Sequence, residues 1–261
     1  MRRHLLSVIA IMISVFATVV AAQPELPATT SVLFAPTFPS RDQLITNEYA
    51  YWNPTHTDKV TSPDWEMTSG SLFSTGSALW TGVPDTANPN ATSSNGTDSA
   101  VFRLTSKRAD FGNVAVSFTL HNNGLTTTST TPAVDWDGVH IFLRYQSEYQ
   151  LYYASVNRRD GHVVIKKKCS GGPSNGGTYY ELGPGEISGH AIPFGTDEPV
   201  GASVVNNADG SVTLTLSLNG TTIITATDNG VGCAPITAPG KVGIRGDNDN
   251  FTVAGFTVTS L

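Results

Sequence analysis

The feature that most constrains the fold is a run of three alternating segments in the last third of the chain. Residues 200–206, 211–218 and 221–227 each alternate apolar with polar side chains, the pattern of a strand with one buried face. Residues 208–210 (Ala-Asp-Gly) separate the first two segments, and Asn219-Gly220 separates the last two. Because Asn-Gly between alternating strands is a strong hairpin signal, these segments predict three antiparallel strands joined by hairpins.

The same pattern recurs along most of the chain. Short runs of Val, Ile, Phe, Tyr and Thr are bounded by Gly, Asn, Asp and Pro, and no segment has the periodicity of a long helix. The regular spacing of these runs favours one all-β domain over residues 41–261. Residues 23–40 are rich in Pro and Thr and predict an extended N-terminal segment. Residues 241–245 and 251–259 predict a last pair of strands.

The first 22 residues have the layout of a secretory signal peptide. Arg2 and Arg3 precede a mostly apolar run over residues 5–20, and small residues stand just before Gln23. The alternative is an uncleaved anchor, although the run falls short of the about 20 residues that span a bilayer. We therefore expect a secreted, extracellular protein with no membrane insertion after cleavage. Loss of two arginines changes the formal net charge from -6 to -8, which argues against a nucleic-acid partner.

Residues 139–168 predict three further strands that agree on one register. A turn at residues 147–148 pairs Val139 with Val156 and makes one apolar face, and a turn at residues 160–161 adds a third strand to it. The opposite face then carries His140, Phe142, Arg144, Tyr153, Ser155, Lys166 and Lys168.

Cys169 and Cys233 are the two cysteines of the chain. In an oxidising compartment we expect them to form a disulfide, which would stabilise the fold by roughly 4 kcal/mol. The alternative is two free buried thiols, and the spacing does not match a zinc site. The register of the neighbouring strand turns Lys167 towards the core, where we expect its aliphatic stem to snorkel.

Several stretches together form a pattern of strands and turns. In chain order they are Asp64-Trp65-Glu66 before Gly70-Ser71-Leu72, residues 113–120 after Asp110-Phe111, residues 138–168 with Arg144 and Tyr153, Asp209-Gly210 with Leu218-Asn219-Gly220, and Val242-Gly243-Ile244-Arg245 with Phe256-Thr257-Val258. This pattern, over most of residues 44–261, resembles the concanavalin A-like, LamG or keto-disaccharide-hydrolase type of jelly roll. The resemblance implies a β-sandwich of two antiparallel sheets, the concave one often holding carbohydrate.

The resemblance does not select an activity. The superfamily includes lectins, binding modules, glycoside hydrolases and polysaccharide lyases. The E-x-D-x-x-E motif of its laminarinases and the R-[ST]-E-[LV]-R and Q-[IV]-H motifs of its alginate lyases do not occur in this sequence. The catalytic residues of those families therefore cannot be carried over.

The face opposite the core predicts carbohydrate recognition. Aromatic rings stack on sugar rings, while cations bond hydroxyls and carboxylates. Because Arg144, Lys166 and Lys168 gather in a chain of negative net charge, we expect a polysaccharide or glycoconjugate with uronic acid, bound by a monomer. A solvated outer face is the alternative, and a structural or adhesive surface protein also stays open.

The same face also allows catalysis. In a polysaccharide lyase acting by β-elimination, Arg144 or Lys166 would neutralise the uronate while Tyr153 or His140 served as base and acid. In a glycoside hydrolase, Asp135 and Asp137 would be the paired carboxylates, with Trp136 beside them as a sugar subsite. Asp135-Trp136-Asp137 is, however, also an ordinary turn sequence.

Asp247 and Asp249 supply oxygen ligands of the kind that a structural Ca²⁺ prefers. Their Asp-Asn-Asp-Asn segment lacks the EF-hand pattern and is equally typical of a turn. No other cofactor is expected to be required.

Three tryptophans and one Gly-rich segment complete the prediction. Trp65 is expected in the core, whereas Trp52 and Trp80 are candidates for exposed sugar platforms. Residues 170–198 predict a long loop, either a functional flap or a plain connection.

Overall fold

The computed structural model describes residues 30–76, 78–87 and 100–261. The predicted signal peptide lies outside the described residues. No described helix is long and apolar enough to cross a membrane. The elements are β1 (Val32–Phe34), β2 (Gln43–Asn47), α1 (Tyr49–Trp52), β3 (Trp65–Ser69), β4 (Ser71–Thr75), β5 (Ala78–Trp80), β6 (Val101–Ser106), β7 (Val114–Leu125), β8 (Gly138–Ser147), β9 (Gln150–Val156), β10 (Val163–Ser174), β11 (Gly177–Ile187), β12 (Asp197–Asn206), β13 (Val212–Leu218), β14 (Thr221–Asp228), β15 (Lys241–Asp247) and β16 (Asp249–Ser260).

These strands form two antiparallel sheets, which confirms the predicted all-β sandwich. Sheet A has the order β14-β13-β12-β7-β16-β5-β4-β2, with β1 added to β16. Sheet B has the order β11-β10-β9-β8-β15-β6-β3. One apolar cluster, including Leu120, Val204 and Leu214 of sheet A and Ile141 and Ile244 of sheet B, fills the space between them. Sheet B therefore has an inner face towards this core and an outer face away from it.

The C-terminal meander follows the predicted register. Val200 lies opposite Leu218, and β13 pairs with β14. Asn219 and Gly220 have φ of 51° and 77°, the positive values that a two-residue hairpin turn requires. The predicted pairing of the last two strands is wrong, because β15 lies in sheet B and β16 in sheet A. Asn248, with φ of 44°, joins them where the chain passes between the sheets.

The first central hairpin follows the predicted register only as far as Leu143. Val139 lies opposite Val156 and Leu143 opposite Tyr152, but the register then shifts before Ser147 meets Gln150. Residues 144–146 of β8 thus oppose a single residue of β9, which is a bulge. The turn consequently falls at residues 148–149, one position later than predicted.

The predicted long loop over residues 170–198 is wrong. Strand β10 continues to Ser174 and pairs with β11, so most of the segment is a β-hairpin at the edge of sheet B. The disulfide between Cys169 and Cys233 is present, with a Cα–Cα distance of 6.0 Å, and it ties β10 to the segment between β14 and β15. The glycines of this segment led to the loop prediction, because glycine has a low preference for strands. Backbone pairing between β10 and β11 offsets that preference.

Lys167 points to the core as its register predicts, but it does not snorkel. Its side chain is fully buried and its Nζ lies 2.9 and 2.7 Å from the two carboxylate oxygens of Asp228. The same Nζ donates to the carbonyl of Cys233, and the Tyr152 hydroxyl donates to Asp228 at 2.5 Å. A counter-ion from β14, 61 residues away, replaces the solvent that snorkelling would have supplied.

Candidate functional site

The outer face of sheet B carries a pocket of about 380 Å³. Residues of β8, β9, β10, β11 and β15 line it, together with Trp136 in the segment before β8. Side chains alternate along each strand, so His140 and Phe142 on β8 turn away from the core and towards this pocket. Arg245 and Asp247 on β15 do the same. A pocket of this size is in the range that small-molecule sites occupy.

Aromatic rings form much of the pocket wall. They belong to Trp136, Phe142, Tyr153 and Tyr179. Tyr153 meets the edge of Tyr179 and of His140, each at 5.4 Å between ring centroids. Trp136 is 47% exposed, so its ring is available to a ligand.

A hydrogen-bonded chain of four side chains crosses the pocket. His140 Nδ1 lies 2.7 Å from Ser155 Oγ, and His140 Nε2 lies 3.1 Å from Asp247 Oδ2. Arg245 holds the same carboxylate through two bonds of 2.7 Å. Burial lowers the pKa of His140 despite Asp247. Burial alone would raise the pKa of Asp247, but Arg245 and His140 hold it well below its usual value.

Two further cations line the pocket and have carboxylate partners of their own. Arg158 pairs with Asp160 and, at 2.7 Å, with Glu186. Lys166 lies 3.1 Å from Glu186 and 3.4 Å from Glu181. None of these carboxylates lines the pocket, and among the described residues Asp247 supplies its one lining carboxylate.

Lys168 lies beside the pocket, behind Tyr179. Its Nζ is 4.9 Å from the centroid of the Tyr179 ring and 5.8 Å from that of Tyr149. The residue is 3% exposed, and no carboxylate of the described residues forms an ion pair with it. Burial, followed by the positive charges of Arg245 and Arg103, lowers the pKa of Lys168 to about 8.

Most of the predicted face residues do share one surface. His140, Phe142, Tyr153, Ser155, Lys166 and Trp136 line the pocket. The placement of Arg144 on this face is wrong. The bulge in β8 gives Arg144 a φ of 47° and turns its side chain away, so that it is fully buried. Its guanidinium donates to the carbonyls of Gly112, Ile236 and Thr237 and to the side chains of Asn113 and Asn206.

Asp137 does not line the pocket. Its carboxylate is buried and accepts hydrogen bonds from the backbone N–H of Val134 and from Nε of Arg159, each at 3.0 Å, and from the amide of Asn248. These contacts agree with the turn-forming alternative.

The three tryptophans singled out in the sequence lie away from the pocket on sheet B. Trp65 is in the core as expected. Trp52 is 42% exposed on α1 and donates to the carbonyl of Thr68, while Trp80 donates to Asn250 at 2.8 Å. Neither lines the pocket on sheet B.

The structure does not join Asp247 and Asp249 in one ligand set. Asp247 is engaged by Arg245 and His140 on sheet B, whereas Asp249, on β16, accepts a bond of 2.7 Å from Asn122. Within the described residues, Asp160, His162 and Glu186 do bring metal-type ligand atoms within 4.8 Å of one another. Because Arg158 pairs with both carboxylates of that group and Lys166 also pairs with Glu186, two cations already offset the two negative charges.

Sequence reasoning missed three residues of the site: Arg245, Arg158 and Tyr179. Arg245 alternates with the apolar Val242 and Ile244, a signal that would have placed it on the outer face. Tyr179 was hidden because its segment was predicted as a loop.

No family model and no curated protein matches this chain. Solved structures do resemble it. The potassium-bound carbohydrate recognition domain of Emp46p has 9% identity and a TM-score of 0.50, covering 74% of this chain and 87% of that one. The Ca²⁺- and Man3GlcNAc-bound exoplasmic/lumenal domain of VIP36 has 10% identity and a TM-score of 0.48, covering 87% and 90%. A LamA variant from Z. galactanivorans in complex with laminaritriose and laminaritetraose has 12% identity and a TM-score of 0.49, covering 88% and 99%.

At these identities the likeness concerns the fold alone. The chain has the concanavalin A-like jelly-roll fold, as the sequence pattern predicted.

Proposed function

We propose that this protein is an extracellular glycan-recognition protein that binds an acidic polysaccharide in the pocket on sheet B. The observation that carries the proposal is the combination, in one pocket, of an aromatic wall that includes the exposed Trp136 with the three cationic side chains of Arg158, Lys166 and Arg245. Rings bind the apolar faces of sugars, and guanidinium and ammonium groups bond hydroxyls and carboxylates. The disulfide agrees with an oxidising, extracellular location.

Lys168 supports an acidic ligand in particular. A buried ammonium without a counter-ion is unfavourable, because desolvation is not offset by an ion pair. A uronate carboxylate entering beside Tyr179 would supply that missing partner, next to the positive charge of Arg245. Burial and the positive charges of Arg245 and Arg103 lower the pKa of Lys168, and a bound carboxylate would oppose both effects.

Binding has more support than elimination or glycoside hydrolysis. Burial raises the pKa of Tyr153, so its hydroxyl keeps its proton at neutral pH and is a poor base. Both ring nitrogens of His140 already have partners. Glycoside hydrolysis usually needs two carboxylates, and Asp247 is the one that lines the pocket in the described part of the chain.

Trp136→Ala is expected to weaken glycan binding about fivefold, because loss of one stacked ring costs on the order of 1 kcal/mol. Affinity is measured by calorimetry or by retention in gels containing acidic or neutral polysaccharides. Trp52→Ala is the matched control, since Trp52 has similar exposure but lies outside the pocket. Equal losses in the two variants would contradict a site at Trp136, and no retention of the wild type across the panel would contradict glycan binding.

Lys168→Gln is expected to weaken acidic glycans while leaving neutral ones nearly unchanged. In the wild type, affinity for acidic glycans should fall as pH rises through about 8, because the Lys168 ammonium then loses its proton. The other charged or titratable groups around it are Arg103, Arg245, Glu148, Tyr149 and Tyr179. A titration of affinity from pH 6 to pH 9.5 tests this, with the exposed Lys107→Gln as control. A pH dependence that persists unchanged in Lys168→Gln would remove Lys168 from the site.

A further inference from the structure

The two nitrogens of His140 constrain what this residue can do. Nε2 faces Asp247, whose pKa is well below its usual value, so the ionised carboxylate accepts and Nε2 carries the proton. In the neutral ring, Nδ1 is then an acceptor, and the hydroxyl of Ser155 at 2.7 Å is its donor. His140 therefore has no free nitrogen for a ligand, and it acts on the pocket through Ser155.

We propose that Ser155 is a nucleophile activated by His140 and Asp247, and that it hydrolyses an ester carried by a bound carbohydrate. The choice of a carbohydrate ester rests on the proposed function; the reactivity of Ser155 does not. The arrangement of a hydroxyl, a base within hydrogen-bond reach and a third group that orients the base is the general signature of an activated nucleophile. Ser155 lines the pocket on its buried side, with 1% of its surface exposed.

Neighbouring residues hold the Ser155–His140–Asp247 hydrogen bonds in place. Arg245 fixes both oxygens of Asp247, and the ring of Tyr153 packs against that of His140. His140 and Ser155 lie directly opposite each other on β8 and β9, so their separation is set by the sheet itself and not by a loop. Burial lowers the pKa of His140, which keeps the ring neutral and able to accept a proton at neutral pH.

The reaction balances without any further reagent than water. Ser155 Oγ forms a bond to the acyl carbon while its proton moves to His140 Nδ1, and negative charge develops on the former carbonyl oxygen. Arg158 and Lys166 line the same pocket and are the candidate donors to that oxygen, in competition with their carboxylate partners. The C–O bond of the ester then breaks, and the sugar hydroxyl leaves with the proton from His140. Water, deprotonated by His140, cleaves the acyl-serine, releasing the carboxylic acid and restoring Ser155.

A fluorophosphonate probe tests the nucleophile directly, followed by mass spectrometry of the labelled peptide. We expect stoichiometric labelling of Ser155 in the wild-type protein, none in Ser155→Ala, and labelling slowed about 100-fold in His140→Gln and Asp247→Asn. Ser203→Ala is the control, because Ser203 bonds Thr215 on sheet A and should leave labelling unchanged. Circular dichroism verifies that each variant is folded.

The outcomes separate this inference from the proposed function. An unlabelled wild-type protein that still binds glycans overturns the nucleophile and leaves glycan recognition intact. Labelling of Ser155 without any glycan binding supports the nucleophile and contradicts the choice of a carbohydrate ester as its substrate. Labelling at an unchanged rate in folded Asp247→Asn and His140→Gln overturns the activation of Ser155 by His140 and Asp247. Release of acid from O-acetylated polysaccharide by the wild type, and not by Ser155→Ala, supports the full proposal.

Discussion

Asp228→Asn is expected to destabilise the protein by about 3–5 kcal/mol, because it leaves the Lys167 ammonium buried without a counter-ion. Both side chains are fully buried, and Lys167 Nζ contacts both oxygens of the carboxylate. Asparagine keeps the size of the side chain and an oxygen for the N–H groups of Gly230 and Val231, but its NH2 group cannot accept from the Tyr152 hydroxyl, so the loss reports on the ion pair together with that hydrogen bond. Urea denaturation measures it as a change in the free energy of unfolding.

Two companion variants sharpen the interpretation. Asp110→Asn removes a carboxylate from the exposed pair with Arg108 and should cost less than about 1 kcal/mol. Adding Lys167→Met to Asp228→Asn should recover much of the lost stability, since the unpaired ammonium is then gone. If Asp228→Asn were no more destabilising than Asp110→Asn, the buried pair would not have the energetic role assigned to it.

Arg144→Met is expected to cost at least about 3 kcal/mol, because several acceptors that the guanidinium satisfies are left without a donor. Methionine has a similar length, so packing changes little while the five hydrogen bonds are lost. Arg144→Lys should recover only part of the loss, since an ammonium cannot reach acceptors spread around a planar fork. Thermal and urea unfolding both measure this effect.

The exposed Arg41→Met is the control for loss of an arginine, and it should leave stability nearly unchanged. Compared at equal folded fractions, Arg144→Met should bind acidic and neutral glycans as the wild type does, because Arg144 lies outside the pocket. A selective loss of affinity for acidic glycans would instead indicate that Arg144 contacts the ligand.

The candidate site was predictable in part because its strands alternate. The register through Leu143 follows from apolar residues falling on one face, and that register correctly groups His140, Phe142, Tyr153, Ser155 and Lys166. The prediction failed for Arg144, one of three residues on which the sequence-based glycan hypothesis relied. Arg245, which was not predicted for this face, takes its place beside Lys166 and Lys168.

The sequence by itself determined the all-β class, the hairpins at Asn219-Gly220 and through β9, and the pairing of the two cysteines. Each of these depends on local turn chemistry, on the two-residue period of a strand or on there being a single possible partner. Only the tertiary structure decided the surroundings of Arg144, Lys167 and Asp247. A bulge reverses the direction of a side chain without any sequence signal of its own. The partner of a buried charge, such as Asp228, is brought from a distant strand by the packing of two sheets.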